Sequence, residues 1–402
     1  MTPARAGLPL AGVKVVDLGQ VYQGPYCSLL LARAGAEVIK VEPLGGESAR
    51  RRAELSPGAS LPFAMLNSDK KSVTLNLKSD DGRRLLTGMV RRADVLLENF
   101  APGVMDRLGV GYSALTEINP RLIYASGTGY GLSGPDRDRL AMDLTVQAMA
   151  GVMSVTGFPD GPPLKAGPAI ADFLGGIHLY GAIVTALFDR ERTGLGRMVE
   201  VAMEEAVYPT LASNLGLLHS DGKDAITRTG NRHGGLAVAP YNVYPASDGH
   251  VALICNADGH WRDLAAAMGR PELADDARFA GNAERCRNMA AVDAVVETWT
   301  RTRTRAELFE IARARHIPCA PVRTLAEVMH DPHMHERGML NWVDHPQLGR
   351  VVLPDSPLRF HGAEPPPLTP SRLLGADNAA VYGDWLGFTP DELARFAREG
   401  AI

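Results

Sequence analysis

Cysteine is scarce in this chain: four thiols in 402 residues, at Cys27, Cys255, Cys286 and Cys319. They are far apart and lack C-x-x-C spacing, which excludes a zinc finger and a disulfide frame and implies reduced thiols in a cytoplasmic protein. None has an activating neighbour that would mark a nucleophile. An excess of charge of one sign is also missing. Forty-two Lys and Arg against 46 Asp and Glu leave a formal net charge of −4, so there is no electrostatic case for nucleic acid or an anionic membrane. The local cluster Arg50-Arg51-Arg52 reads as a solvated face. The longest apolar stretches are broken by Asp, Lys or Arg, and no charged-then-apolar leader opens the chain, so no membrane segment is expected. Gly-x-Ser-x-Gly and Walker motifs are absent, which removes serine-hydrolase and P-loop chemistry.

What is present is a globular composition, 45% hydrophobic and 22% charged, long enough for two core-bearing domains. The first 130 residues alternate β-branched runs with helical patterns. Strands are expected at Val13–Leu18, 37–42, 72–78, 95–98 and 121–126, with helices from Gly24-Pro25 to Gly35, over 80–92, at 104–108 and over 113–118. Repeated strand-helix-strand units argue for a mostly parallel α/β sheet. A further strand at 198–202 and a helix from Glu204 toward His219 follow. From about 225 the texture changes to strands at 241–244 and 250–255 and helices near 260–268, 289–302 and 304–314, a small α+β unit. The end returns to strands at 351–353 and 358–360, a linker at 365–367, and a last helix opened by the capping box Thr389-Pro-Asp-Glu392. The expected organisation is 1–225, 226–330 and 331–402: a large Rossmann-like, mostly parallel sheet domain split by a smaller α+β domain.

Three motifs bear on chemistry. Gly129-Tyr-Gly131-Leu-Ser-Gly134 satisfies G-x-G-x-x-G, but Pro135 follows where a helix should open, and the loop comes late in the sheet, which argues against dinucleotide binding. His330, His333 and His335 with Asp331 and Glu336 have ligand chemistry, but Pro332 interrupts the helix their spacing would need, and a polar loop is expected instead of a metal site. Asp172 is a lone carboxylate in Lys165-Ala-Gly-Pro-Ala-Ile-Ala-Asp172-Phe-Leu-Gly-Gly176, just before an amphipathic helix. It reads either as an ordinary N-cap or as an ionised carboxylate able to attack a thioester carbonyl.

Several ordered segments together resemble the family III coenzyme A transferases, the CaiB/BaiF group. They are Leu10–Leu18, Gly35–Pro43, Asn99-Phe-Ala-Pro-Gly103 with Arg107-Leu-Gly109, Thr156–Pro163, Ala171–Gly176, Gly230–Gly235 and Ile317–Val322. The resemblance implies that Asp172 is the catalytic aspartate, passing through a mixed anhydride and an aspartyl-CoA thioester, with coenzyme A as substrate and no other cofactor or metal. It implies CoA contacts at Val21, Tyr22, Leu75 to Lys78, Asn99, Phe100, Arg107, Arg139 and Met142, a loop over the site at Gly234 and Gly235, and an interlocked homodimer crossing near 205–230 and 325–345. Racemases of this group carry a histidine where this chain has Met142, so proton exchange lacks its second base. Formyl-CoA transferase has glutamine where this chain has Tyr22 and a longer glycine run at 233–236, so the acid substrate stays open. An isomerase and a non-catalytic CoA-ester binder are the competing readings.

Overall fold

A computed structural model describes residues 7–221, 226–363 and 366–402. The chain divides into two compact units, one of Met1–Val146, Pro168–Val207 and Met329–Ile402, the other of Gln147–Gly167 and Tyr208–Val328. The boundary expected near 225 thus falls inside the second unit.

The first unit is built on six parallel strands: β1 (Lys14–Asp17), β2 (Glu37–Glu42), β3 (Lys71–Thr74), β4 (Val95–Glu98), β5 (Ile123–Thr128) and β6 (Met198–Ala202), in the order β3-β2-β1-β4-β5-β6. Strand order reverses between β1 and β4, the place where open parallel sheets leave a crevice at their carboxyl ends. Alternate residues feed opposite cores, because successive side chains leave a strand on opposite faces. Val16, Ile39, Leu96 and Tyr124 face one cluster with Leu85, Leu86 and Met89 of helix α2 (Asp80–Val90) and with Tyr382 and Phe396 from the end of the chain. Val15, Val38, Val95, Leu97 and Ile123 face another, with Leu31 of helix α1 (Gln23–Arg33) and Leu179, Ile183 and Leu187 of a long helix over 170–193. Full burial of each such side chain contributes about 1.5–3 kcal/mol.

The edge strand β3 is closed off by the C-terminal segment. Asp377 and Asn378 accept hydrogen bonds from the Ser72 and Thr74 amides at 2.8 and 2.9 Å, which blunts an edge that could otherwise template pairing. β3 is shorter than the strand expected over 72–78, because the chain leaves the sheet after Thr74 for the turn that carries Ser79, the N-cap of α2. No strand forms at 358–360. The terminal hairpin is instead Leu340–His345 with Gly349–Pro354, its first strand not anticipated. The capping box at Thr389 and Glu392 is present. Pro365 of the expected linker lies outside the described residues.

Arg50 corrects the expectation of a solvated arginine cluster. It is buried, forks onto both Glu42 oxygens at 2.7 Å and lies 3.9 Å over the Phe63 ring. Pro332 also acts differently from expected: it stands at the start of a short helix, Pro332–Glu336, with Asp331 as N-cap. His330 and His335 stack on Trp342, and among the described residues no group of three or more candidate ligands could hold a metal.

The second unit carries a three-stranded antiparallel sheet in the order Cys319–Pro321, Gly249–Ile254, Tyr241–Ala246. Helices Asp258–Ala267, Met289–Thr300 and Arg305–Ala314 surround a core of Tyr244, Val251, Trp261, Phe279, Val292 and Leu308. The expected helix from 204 to 219 is broken by a 3-10 turn at Tyr208–Leu211, where Pro209 removes a backbone donor.

Candidate active site

The cleft at the carboxyl end of the first unit's sheet has a volume of about 440 Å³ and is lined by Val21 and Gln23 after β1, Asn99 and Phe100 after β4, Thr128 at the end of β5, and Asp172. Its walls are set by the buried polar groups beneath it. Asp17, the last residue of β1, accepts from Ser28 Oγ at 2.6 Å, Lys70 Nζ at 3.2 Å and the Gly19 amide at 2.8 Å. Burial opposes this carboxylate's charge, but the Lys70 and Lys40 ammoniums with Ser28 and Gly19 outweigh it and hold its pKa below the ordinary value. Lys40 donates to the Gly19 carbonyl. Asn99 pairs with Gln20 in both directions, accepting from its amide at 2.7 Å and donating to its carbonyl at 3.0 Å. Pinned on both sides, the loop carries Val21 into the left-handed region at φ 65°. That conformation costs a β-branched residue of order 1–3 kcal/mol and persists only where the surroundings enforce it.

Asp172 lies in helix α4 (Ile170–Thr193, with the helix Asp143–Met149 before it as α3). It is not the N-cap. Ala169 holds that place, and Asp172 is the third helical residue, 7% exposed. The orphan amide of Ala171 is taken by Asp143 Oδ1 at 2.9 Å, so the neighbouring carboxylate caps the helix and leaves Asp172 uncommitted to that task. The Gln23 amide donates to Asp172. This approach is possible because α1 meets α4 at two glycines: a Cβ on Gly176 would stand 2.8 Å from the Gln23 carbonyl oxygen. The carboxylate is less readily ionised than expected. Burial first, then the charge of Asp143, lifts the Asp172 pKa from 3.8 to about 7, against the opposing pull of Arg52 and the Gln23 amide.

Of the residues expected around CoA, the cleft gathers Val21, Asn99, Phe100, Arg139 and Met142 with Asp172. The 139–142 stretch is held there by close approach to β5, since a Cβ on Gly129 would collide with Ala141. Gly129 of the G-x-G-x-x-G run therefore serves packing, and no helix opens at Gly134. Arg139 pairs with Asp136 at 2.5 Å. Tyr22 stacks against Phe173, ring centres 6.2 Å apart. The Leu75 side chain is 3% exposed in the core and does not reach the cleft. Lys78 and Arg107 are exposed. The helix of Arg107 (Val104–Arg107) borders a second, polar cleft of about 320 Å³ that shares Ala101, Pro102 and Arg137 with the first and includes Glu98, whose pKa burial raises to about 6. Gly234 and Gly235 belong to the second unit, where Asn214 donates to the Gly234 carbonyl at 3.4 Å. Sequence reasoning missed Gln23, Asp143 and Met203. No local signal marks a glutamine before Gly-Pro as buried, although Asp143 stood within a segment already singled out.

Helix α4 is long and apolar enough to cross a membrane by composition, unlike the expectation that no such run exists. It packs on α1, β5 and β6 as a core helix of the first unit.

A model of CoA-transferase family III matches residues 10–378. The formyl-CoA:oxalate CoA-transferase of Streptomyces avermitilis is 38% identical over 98% of this chain and 99% of its own. The acetyl-CoA:oxalate CoA-transferase of Acetobacter aceti is 39% identical over 91% and 92%, and the succinyl-CoA:mesaconate CoA-transferase of Haloarcula hispanica 38% over 93% and 96%. The crystal structure of a CaiB/BaiF family protein from Brucella suis superposes with a TM-score of 0.82 at 35% identity, covering 94% of this chain and 99% of the other. With the parallel sheet and its cleft, these similarities make the chain a member of the family III CoA-transferases, enzymes that move CoA between carboxylic acids.

Proposed function

We propose that this enzyme transfers CoA through covalent intermediates on Asp172. The observation that carries the proposal is a buried carboxylate at the head of α4, inside a cleft at the sheet's carboxyl end, with its pKa near 7. A carboxylate oxygen attacks the donor thioester carbon, and the C–S bond breaks to release CoA thiolate and leave a mixed anhydride. The thiolate attacks Cγ of Asp172, expelling the donor acid as carboxylate and forming the aspartyl-CoA thioester. The acceptor carboxylate then attacks Cγ, releases the thiolate and forms a second anhydride, whose acyl carbon the thiolate takes to give the new acyl-CoA. Each step keeps one activated acyl bond and restores Asp172. Poor solvation raises the basicity, and hence the nucleophilicity, of the fraction that is ionised.

CoA would run from Val21 and Asn99-Phe100 past Arg139 and Met142, with Lys78 and Arg107 meeting phosphates from the rim as charge-assisted donors. Acetyl, formyl and succinyl donors and oxalate or mesaconate acceptors, named for the relatives, define the first panel to assay. The active species is read as an interlocked homodimer. Support comes from the apolar helix α4, which leaves Ile177 45% and Phe188 71% exposed, surface suited to a second copy. Part of the expected crossing segment, 222–225, lies outside the described residues.

Asp172→Ala and Asp172→Asn should abolish transfer with CoA binding retained. Wild type given acyl-CoA without acceptor should gain mass on the Asp172 peptide, and hydroxylamine should convert that adduct to a hydroxamate. Near-normal transfer by Asp172→Ala, or an adduct on a cysteine, would overturn the mechanism.

A further inference from the structure

Gln23 is not explained by its part in holding Asp172, because that part uses only its backbone amide. The residue is 2% exposed and lines the cleft that holds Asp172. Two glycines on different elements make room for it. A Cβ at Gly127 of β5 would lie 2.7 Å from Gln23 Oε1, and one at Gly175 of α4 would lie 2.8 Å from Nε2. An apolar side chain of that length would fill the slot without complaint, yet a primary amide stands there with two N–H donors and a carbonyl. Among the described residues its one side-chain hydrogen bond is Nε2 donating to the Val201 carbonyl at 3.5 Å, the outer limit of such a bond. A buried amide with unspent hydrogen-bonding capacity is costly unless something entering the cleft completes it.

We propose that the Gln23 amide is the specificity-determining group of this site, hydrogen-bonding a second carboxylate on the acid and so selecting short dicarboxylates over monocarboxylates of equal length. The assignment rests on the reading of this cleft as the acyl-transfer site. One carboxyl of the acid reacts at Asp172. The amide, in the lining of the same cleft, pairs with the other, and an acid lacking it leaves the amide unpaired. A site built in this way discriminates more strongly than an apolar pocket does.

The test compares kcat/KM for chain-matched acceptors, oxalate against acetate, malonate against propionate and succinate against butyrate, with one acyl-CoA donor. Wild type should favour the dicarboxylate in at least one pair. Gln23→Met, close in volume and without the amide, should lower that ratio roughly ten- to hundredfold, mainly through the KM of the dicarboxylate. Gln23→Ala, which opens the slot instead of refilling it, should lower it likewise and serves if the Met variant folds poorly. A monocarboxylate preference in wild type, or a ratio unmoved in both variants, overturns the inference while leaving transfer at Asp172 standing. Failure of wild type to transfer CoA to any acid removes the functional reading itself.

Discussion

Asp172 has two properties that pull against each other. Its place in the first turn of α4 favours the anion through the helix dipole, whereas burial and Asp143 favour the acid, and the second pair prevails, with a pKa near 7 against the ordinary 3.8. Folded protein therefore binds a proton that unfolded protein releases between about pH 4 and pH 7. The stability from this group is fully present below the unfolded value and is lost as pH rises through 7. Asp172→Asn, neutral throughout, should match wild type in denaturant midpoint near pH 4. It should exceed wild type above pH 8 by an amount bounded at about 4 kcal/mol, three pKa units at about 1.4 kcal/mol each. A difference independent of pH would show that the carboxyl is not held protonated. Transfer should in turn rise with pH toward a plateau above 7, as the attacking anion forms.

At the scale of elements, the start of α4 depends on a neighbouring helix for its cap. Asp143, the first residue of α3, accepts the Ala171 amide at 2.9 Å and also supplies the charge that raises Asp172. The two roles are separable. Asp143→Asn keeps an acceptor but removes the charge, so the acid limb of the pH–rate profile should move to lower pH with the melting temperature little changed. Asp143→Ala removes both and should also cost about 1 kcal/mol of stability, as other lost caps do. An unmoved limb in Asp143→Asn would leave Asp143 a cap alone. Helix α4 was legible as a helix from its apolar periodicity. Its first residue was not, because the helix begins two residues before Asp172 and the Ala171 amide in its first turn is satisfied from 28 positions away.

At the scale of the whole molecule, distant segments are joined by buried charge. Arg33 of α1 donates to Asp69 and, at 2.6 and 2.7 Å, to both oxygens of Asp355 near the far end of the chain. Losing one partner of such a cluster strands a desolvated charge at a cost of about 3–5 kcal/mol. Assembly is a separate matter from this internal tie. Light scattering should give about twice the 43.1 kDa chain mass, held on dilution to nanomolar protein. Ready dissociation to folded monomers would count against interlocking.

The alternation of strand and helix over the first 130 residues determined the parallel sheet by itself, because period-2 and period-3.6 apolar patterns and glycine or capping punctuation are local properties of the chain. The order of the motifs likewise determined the family and singled out Asp172. The tertiary structure alone decided that Leu75 is core, that Arg50 is buried against Glu42, that Asp143 caps α4 and that Gln23 enters the cleft. Each of these depends on which groups burial removes from water and which partners from remote strands replace that water, and sequence spacing carries no record of either.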